Sequence, residues 1–408
     1  MKIYYKTTVS TRTIITLLFI ICIYIRSGSP FSLAYQSTTL FLHVLMSAIL
    51  ILYSVLYAPF ERIKPGQWFL AMLFSISVLM TMINTNEIAL YRNYVIQVLM
   101  CLNAVLIVRM LGVEKTIRCW ILSMRTVTIS ALFLYTCVSL GVSSFPIVET
   151  NSATYYTIYL ASQLTSANRL SGPFWEPSMF VVFLAITLLF ELLTLESVRK
   201  SKFWIVIEII ALILTSSASA IVALILVGFI YFYKKNERTE SRGLFVVVVF
   251  ALSILSMLFF EDIISMLYDA FPSIFYKFVE RDISFLTRVN NPIGDILTCI
   301  SHPFGVGVQN VEEYVKQYAI LFTGDVKAVI SRTSTWSYYF AAYGWVAGIA
   351  VNLIWIIGIC KSRWIVGLQK TAFVALMFYL LTSVTLINNQ MYWILIVLIY
   401  MASEKVEL

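Results

Sequence analysis

The stretch Arg169–Leu195, RLSGPFWEPSMFVVFLAITLLFELLTL, joins two kinds of chemistry in one run. From Ser178 onward it is an apolar helix of membrane-spanning character, with Glu191 near its end. Before it, RLSGPFWEP sets an arginine, a glycine, an aromatic pair and a Glu-Pro at the helix mouth. Polar groups at the edge of hydrocarbon are costly and more often functional than decorative. Glu176 and Pro177 also suit a plain helix start, because acids are favoured in the first turn and proline at its first position.

Working outward, the apolar half is the rule. Of 408 residues, 60% are hydrophobic and 12% charged, with a mean hydropathy of +0.87; a soluble chain carries about 25% charged residues. Crossing a bilayer takes about 20 mostly apolar residues. Such windows recur at about 13–25, 39–57, 68–83, 93–110, 119–140, 178–195, 203–215, 218–233, 243–260, 334–360, 371–386 and 390–403. Several are short, and 203–215 with 218–233 reads either as two helices or as one long broken helix. The predicted fold class is all-α: a polytopic membrane protein, one membrane domain over 1–408, with about ten to twelve transmembrane helices. Lys2, Lys6 and Arg12 ahead of Thr13–Ile25 resemble a signal peptide. No small-x-small cleavage site follows, so an uncleaved first helix is expected.

Alternating the spans places nineteen of the 29 lysines and arginines on one side and nine on the other, with Arg125 inside a span. The positive-inside rule then puts both termini in the cytoplasm. This accounts for the net charge of +8 without a nucleic-acid partner, and none is expected. The cysteines (Cys22, Cys101, Cys119, Cys137, Cys299 and Cys360) form no CxxC pair, so a disulfide framework or zinc site is not expected. His43 and His302 alone build no metal site, and no Walker-type or GxGxxG motif is present. No metal and no cofactor are predicted.

Two outward segments interrupt the helices. The first, 141–177, ends in RLSGPFWEP. The second, 261–333, is far longer than ordinary connections, and loops of that size are usually functional. Its periodicity predicts short amphipathic helices, for example Glu261–Leu267 and Val311–Leu321. The outer face thus offers Arg169, Arg288 and Arg332, with acids that include Glu176 and Asp295. A guanidinium fork matches phosphate oxygens bidentately, so three arginines near the outer interface suit a diphosphate head group. The plainer alternative is that they pair with the loop's own acids and hold it folded. Glu176 beside Trp175 and Arg169 reads as a catalytic or sugar-binding acid, or as a helix cap. His302, ahead of Pro303, Gly305 and Gly307, reads as a general base or as a solvent-facing turn residue.

Within the spans, Arg125 and Glu208 lie about two turns from the same end of their helices, with Glu191 as a competing partner. Intramembrane charges are usually paired, so a structural pair is expected in preference to a proton relay. Thr215–Ala220, TSSASA, predicts a small-residue turn or kink. Phe180, Phe183 and Phe190 read as lipid-facing or packing residues.

Arg169-x-x-Gly172-x-Phe174-x-Glu176-Pro177 at a helix opening, then a long loop carrying Arg288 and HPFGVG (His302–Gly307), resembles the O-antigen polymerase and ligase superfamily. Ser331–Gly348, SRTSTWSYYFAAYGWVAG, is similar to the family's helix that returns to the membrane after the loop, and SSAS at Ser216–Ser219 matches a recurring small-residue feature. The resemblance spans roughly 165–360 in motif and most of the chain in topology. It implies a membrane glycosyltransferase of the C-type class in a bacterial cytoplasmic membrane. The donor would be an oligosaccharide on undecaprenyl diphosphate, and the acceptor another lipid-linked repeat unit. Membrane lipid, a chain-length regulator and a flippase of the pathway are the implied partners.

Under that resemblance Arg169, Arg288, Glu176 and His302 are the catalytic candidates, and Arg332, Trp175, Tyr338 and Gly305 bind substrate. No glycine stands eleven residues after Arg169 or Arg288, as it does in some polymerases, and Arg332–Tyr339 lacks the histidine of ligases. The histidine's absence ranks polymerase above ligase. A flippase or other secondary transporter is the rival, but transporters show paired repeats and central polar sites. Here the halves differ and the notable charges cluster outside.

Overall fold

The structure, a computed structural model, describes residues 26–57, 65–85, 91–150, 153–158, 161–166, 169–193, 202–235, 283–323, 332–362, 365 and 367–405. The windows at 13–25 and 243–260, and the helix expected at Glu261–Leu267, lie outside them, as does much of the long loop. In chain order come α1 (Pro30–Ala34), α2 (Gln36–Tyr57), α3 (Pro65–Asn84), α4 (Tyr91–Leu111), α5 (Val113–Ser139), strands β1 (Ile147–Glu149), β2 (Thr154–Ile158) and β3 (Ala161–Leu164), then α6 (Pro177–Leu193), α7 (Lys202–Leu214) and α8 (Ala218–Lys235). After residues 236–282, which lie outside the described ones, follow α9 (Ile283–Ser301), α10 (Val311–Thr323), α11 (Tyr338–Lys361), α12 (Leu368–Ser383) and α13 (Gln390–Lys405).

Large apolar side chains fill the core and also cover the outside of the bundle. Helix α6 is apolar all round and buried along nearly its whole length, as a central helix must be. Helix α13 is likewise sunk in the bundle, packing on α11 and α4. The peripheral helices turn Phe41, Leu52, Leu56, Leu122 and Phe133 outward, while Asn103, Gln390, Glu208 and Asp295 lie inside. Exposed carbon around buried polar groups is what a hydrocarbon solvent selects. Among the described residues four helices are long and apolar enough to cross a membrane: Gln36–Leu56, Tyr94–Leu111, Val113–Ser139 and Tyr338–Lys361. Shorter apolar helices accompany them, α6 and α12 included. The chain is a helical membrane protein.

The stretch 203–233 resolves into two helices, α7 and α8, joined by a turn in which Ser216 takes a positive φ of 48°. A three-stranded antiparallel meander, β1-β2-β3, sits in the 141–177 segment; the all-α reading does not anticipate it. Its register sets Ile147 opposite Tyr156 and Tyr155 opposite Leu164. Tyr155 anchors the sheet by donating to the Trp175 carbonyl at 3.1 Å.

Helix α11 is broken. Gly344 adopts φ 79°, ψ −175°, leaving Tyr338–Tyr343 as a short first half. The turn after α9 fills the break: Val306 and Gly307 donate their N–H groups to the carbonyls of Ala341 and Ala342, and Trp345 donates to the Pro303 carbonyl. From α3, Ser77 donates to the Tyr343 carbonyl and Thr81 to the Phe304 carbonyl. A Cβ on Gly344 would lie 2.2 Å from the Pro303 carbonyl oxygen, and one on Gly305 would lie 2.5 Å from that of Ala342.

The intramembrane arginine chooses a different partner from the one expected. Arg125 Nε meets Glu191 Oε1 at 2.7 Å, while its guanidinium lies 4.9 Å from the Trp204 ring centroid. Stacking on Trp204 of α7 turns the guanidinium edge toward α6, and Glu208 is passed over. Glu208 stays wholly buried, its carboxyl within side-chain hydrogen-bonding range of that of Glu191.

Gly344→Ala is expected to lower the melting temperature in detergent and the yield of monodisperse protein, since backbone strain alone costs about 1–3 kcal/mol. Gly228→Ala, in α8 where no atom lies within 4 Å of the added Cβ, is expected to be neutral or to stabilise by up to about 1 kcal/mol. Equal melting temperatures for the two variants would contradict the interlock. Glu191→Gln should reduce stability by roughly 3–5 kcal/mol, as breaking buried ion pairs does. The Arg125/Glu191 charge exchange should regain part of that loss in the same melting assay.

Candidate functional site

Helix α9 carries a polar stripe into the protein. Thr287, Asn291, Asp295 and Thr298 follow each other at spacings of four, four and three, and all four are fully buried. That spacing keeps them on one helix face. Pro292 interrupts the ladder beside them, removing the donor for the Arg288 carbonyl. On the flank Gly294 admits α10: a Cβ there would lie 2.7 Å from a Val315 methyl. Helix α10 spans Val311–Thr323, in line with the amphipathic helix predicted at Val311–Leu321.

Facing the stripe is the segment Arg332–Ser337, pinned on its other side to the end of α12. Thr335 donates its hydroxyl to the Val384 carbonyl and accepts from the Leu386 N–H, and Trp336 Nε1 donates to Thr382. Thr385 in turn donates to the Arg332 carbonyl. These bonds fix where the Arg332 side chain starts. Its Nη2 pairs with Asp295 Oδ1, and its guanidinium lies 4.7 Å from the Tyr338 ring centroid. Ser337 donates to the other Asp295 oxygen at 2.6 Å, and Tyr338 is held by its own bond to the Val308 carbonyl. Burial pushes the Asp295 carboxyl above the usual carboxylate range, against the pull of Arg332 and the Ser337 bond. Ionising it therefore costs stability as pH climbs past that range.

The arrangement is short of acceptors. Arg332 is 13% exposed, yet among the described residues its Nε and Nη1 have no hydrogen-bond partner. Nε of Arg288, one turn before Asn291 on the same helix, is also buried and unpaired, as is Asn290 Nδ2. Tyr379 of α12 lies within electrostatic range of Arg288. Buried donors left unmade cost about 1–3 kcal/mol each. Among the described residues, Arg332 and Arg288 thus keep N–H groups that could serve an acceptor-rich group.

The other residues singled out from sequence divide by position. Gly305 packs against Ala342 in the α11 break. The His302 ring meets Tyr314 edge-on at 4.7 Å, where α9 gives way to α10. Arg169 lies elsewhere: its Nε and Nη2 donate to the carbonyls of Thr215 and Ser216, at the end of α7. Cations belong at that end of a helix, where carbonyls lack partners. Glu176 accepts from Ser178 at 3.1 Å and its carbonyl receives the Met179 N–H, which is helix-start geometry. Trp175 donates its N–H to the Gly28 carbonyl. Sequence reasoning passed over Asn290, Asn291, Ser337 and Tyr379. The α9 residues had a signal in their helical spacing, whereas Tyr379 reads as one more aromatic in an apolar span.

No family model matches this sequence, and no curated protein is similar to it at a significant level.

Asp295→Asn keeps the side-chain shape but removes the charge that holds Arg332. It is expected to lower the melting temperature, and the double variant with Arg332→Met should lose less than the sum of the single losses. A coupling of about 0.5–3 kcal/mol is typical of residues in one network; strict additivity would mean that the pair does not act together.

Proposed function

We propose that this protein polymerises lipid-linked oligosaccharide repeat units for a surface polysaccharide of the O-antigen or capsule type. In this reading it works at the outer face of a bacterial cytoplasmic membrane, with both termini cytoplasmic and the 261–333 segment outside. The glycan passes from undecaprenyl diphosphate to the terminal sugar of a second lipid-linked unit. A chain-length regulator and a flippase act beside it.

The observation that carries the reading is the largely buried Arg332, whose Nε and Nη1 have no partner among the described residues while Asp295 and Tyr338 hold it in place. A diphosphate leaving group needs such donors. An acceptor hydroxyl oxygen bonds to the anomeric carbon, the bond from that carbon to the diphosphate oxygen breaks, and the electron pair departs with the diphosphate. Positive charge fixed in advance on the leaving group lowers the barrier without reorganisation. Arg288 and Arg332 supply that charge, and Asp295 positions Arg332. The hydroxyl proton goes to a base. The reading gives that role to His302, at the α9–α10 junction. Glu176 and Arg169 then serve the RLSGPFWEP segment as cap and anchor.

The test is a gel profile of surface polysaccharide from a strain lacking the protein and complemented with variants. Arg332→Lys keeps the charge but loses the planar fork, and together with Arg288→Ala it is expected to cut polymer formation by about 10²-fold at unchanged membrane abundance. A single capped repeat should remain. Lipid-linked polymer accumulating outside would mean a ligase, and single repeats stranded on the cytoplasmic face a flippase.

A further inference from the structure

A cavity of about 740 Å³ lies between the three-stranded sheet, α1 and α5, away from the arginines. That size is in the range of ligand cavities. It is lined by carbon from Pro30, Phe31, Val148 and Ala161 and by five hydroxyl residues. Each hydroxyl is already engaged. Thr126 donates to the Leu122 carbonyl, Ser130 to that of Thr126, and Thr157 to that of Pro146. Ser162 donates to the Gly172 and Phe174 carbonyls, and the Ser29 hydroxyl accepts the Ser32 N–H. A water held in a cavity needs two to four polar partners, and an apolar cavity stays dry. With these hydroxyls bonded within the protein, the wall is mostly hydrocarbon despite its composition.

Its shape and opening narrow the occupant. Along α5, Ser130 and Thr126 lie roughly 13 and 20 Å from the helix end at Ser139, at about 1.5 Å per residue. That depth matches one leaflet of a hydrocarbon core about 30 Å thick. The lining face of α5 continues onto Leu122, Ile129 and Phe133, all exposed, so the cavity opens sideways onto the surface that meets the bilayer. None of its lining residues is charged, which leaves a diphosphate head group without a counter-charge there.

We propose that this cleft binds one acyl chain of a bilayer phospholipid, whose head group rests at the sheet while the chain runs down α5. The site is separate from the arginines and does not depend on the polymerase reading. Bound there, the chain supports the inner side of the sheet, and through Ser162 it steadies the backbone of Gly172 and Phe174 in the RLSGPFWEP segment.

The experiment uses the full chain in phospholipid vesicles in which part of the lipid carries a photoactivatable acyl chain, with adducts mapped by mass spectrometry. Adducts are expected on Ser130, Val148 and Ala161 as well as on the exposed face of α5, to which Thr126 belongs. Ser130→Trp, which fills the cleft, should lose the inner adducts and keep those on Ile129 and Phe133. Ala161→Phe fills it from the sheet side and should do the same. Adducts confined to the exposed face of the wild-type protein would overturn the proposal. So would displacement of the inner adducts by a polyprenyl phosphate at equal mole fraction, which would identify an isoprenoid chain as the occupant.

Discussion

A peptide group inside hydrocarbon finds no water, so each one left out of a helix must find a partner within the protein. The break at Gly344 creates this problem in the middle of the bundle, and Pro303–Gly307 solves it by offering its own backbone to both sides of the gap. Only glycine allows two main chains to pass this closely, which is why Gly305 and Gly344 face each other's segments. The consequence extends well beyond the turn. Anchoring Pro303 fixes the end of α9, and anchoring Tyr343 fixes the first half of α11. Asp295 and the Arg332–Ser337 segment inherit their positions from these two elements.

The two buried arginine clusters differ in charge stoichiometry. Around Arg125 there are two carboxyls for one guanidinium, and Trp204 covers its face. One Nη2 stays unpaired there, but any added anion would meet Glu191 and Glu208. Around Asp295 the described residues put Arg332 on the carboxyl, with Arg288 two turns earlier on the same helix. The first cluster is suited to joining α5, α6 and α7; the second leaves guanidinium nitrogens without a partner among the described residues. Position agrees with this division, since Arg332 comes from a connecting segment and Arg125 from a long apolar helix.

Hydroxyl residues show how far composition misleads in such a protein. Thr126 and Ser130 look polar in sequence, yet their bonds to carbonyls one turn back make α5 apolar along that face. Thr335 and Thr385 do the opposite, bonding to distant segments and holding the Arg332 loop on the end of α12. The same functional group closes on its own helix where a helix is present and reaches across where the backbone is irregular.

Hydropathy and the charge pattern alone determined the helical membrane class, the helix starting at Pro177, the Val311–Thr323 helix and the small-residue turn after α7. These follow from local composition, because hydrocarbon forces apolar runs into helices whatever lies next to them. The arginines Arg288 and Arg332 and the acid Asp295 were also visible as charged groups in a long loop. Tertiary structure alone decided that Arg332 meets Asp295, that Arg169 caps α7 and that Arg125 takes Glu191. It also decided that Ile147–Glu149, Thr154–Ile158 and Ala161–Leu164 form a sheet. Each of these depends on which segments pack together, and spacing along one helix carries no information about the helix across from it.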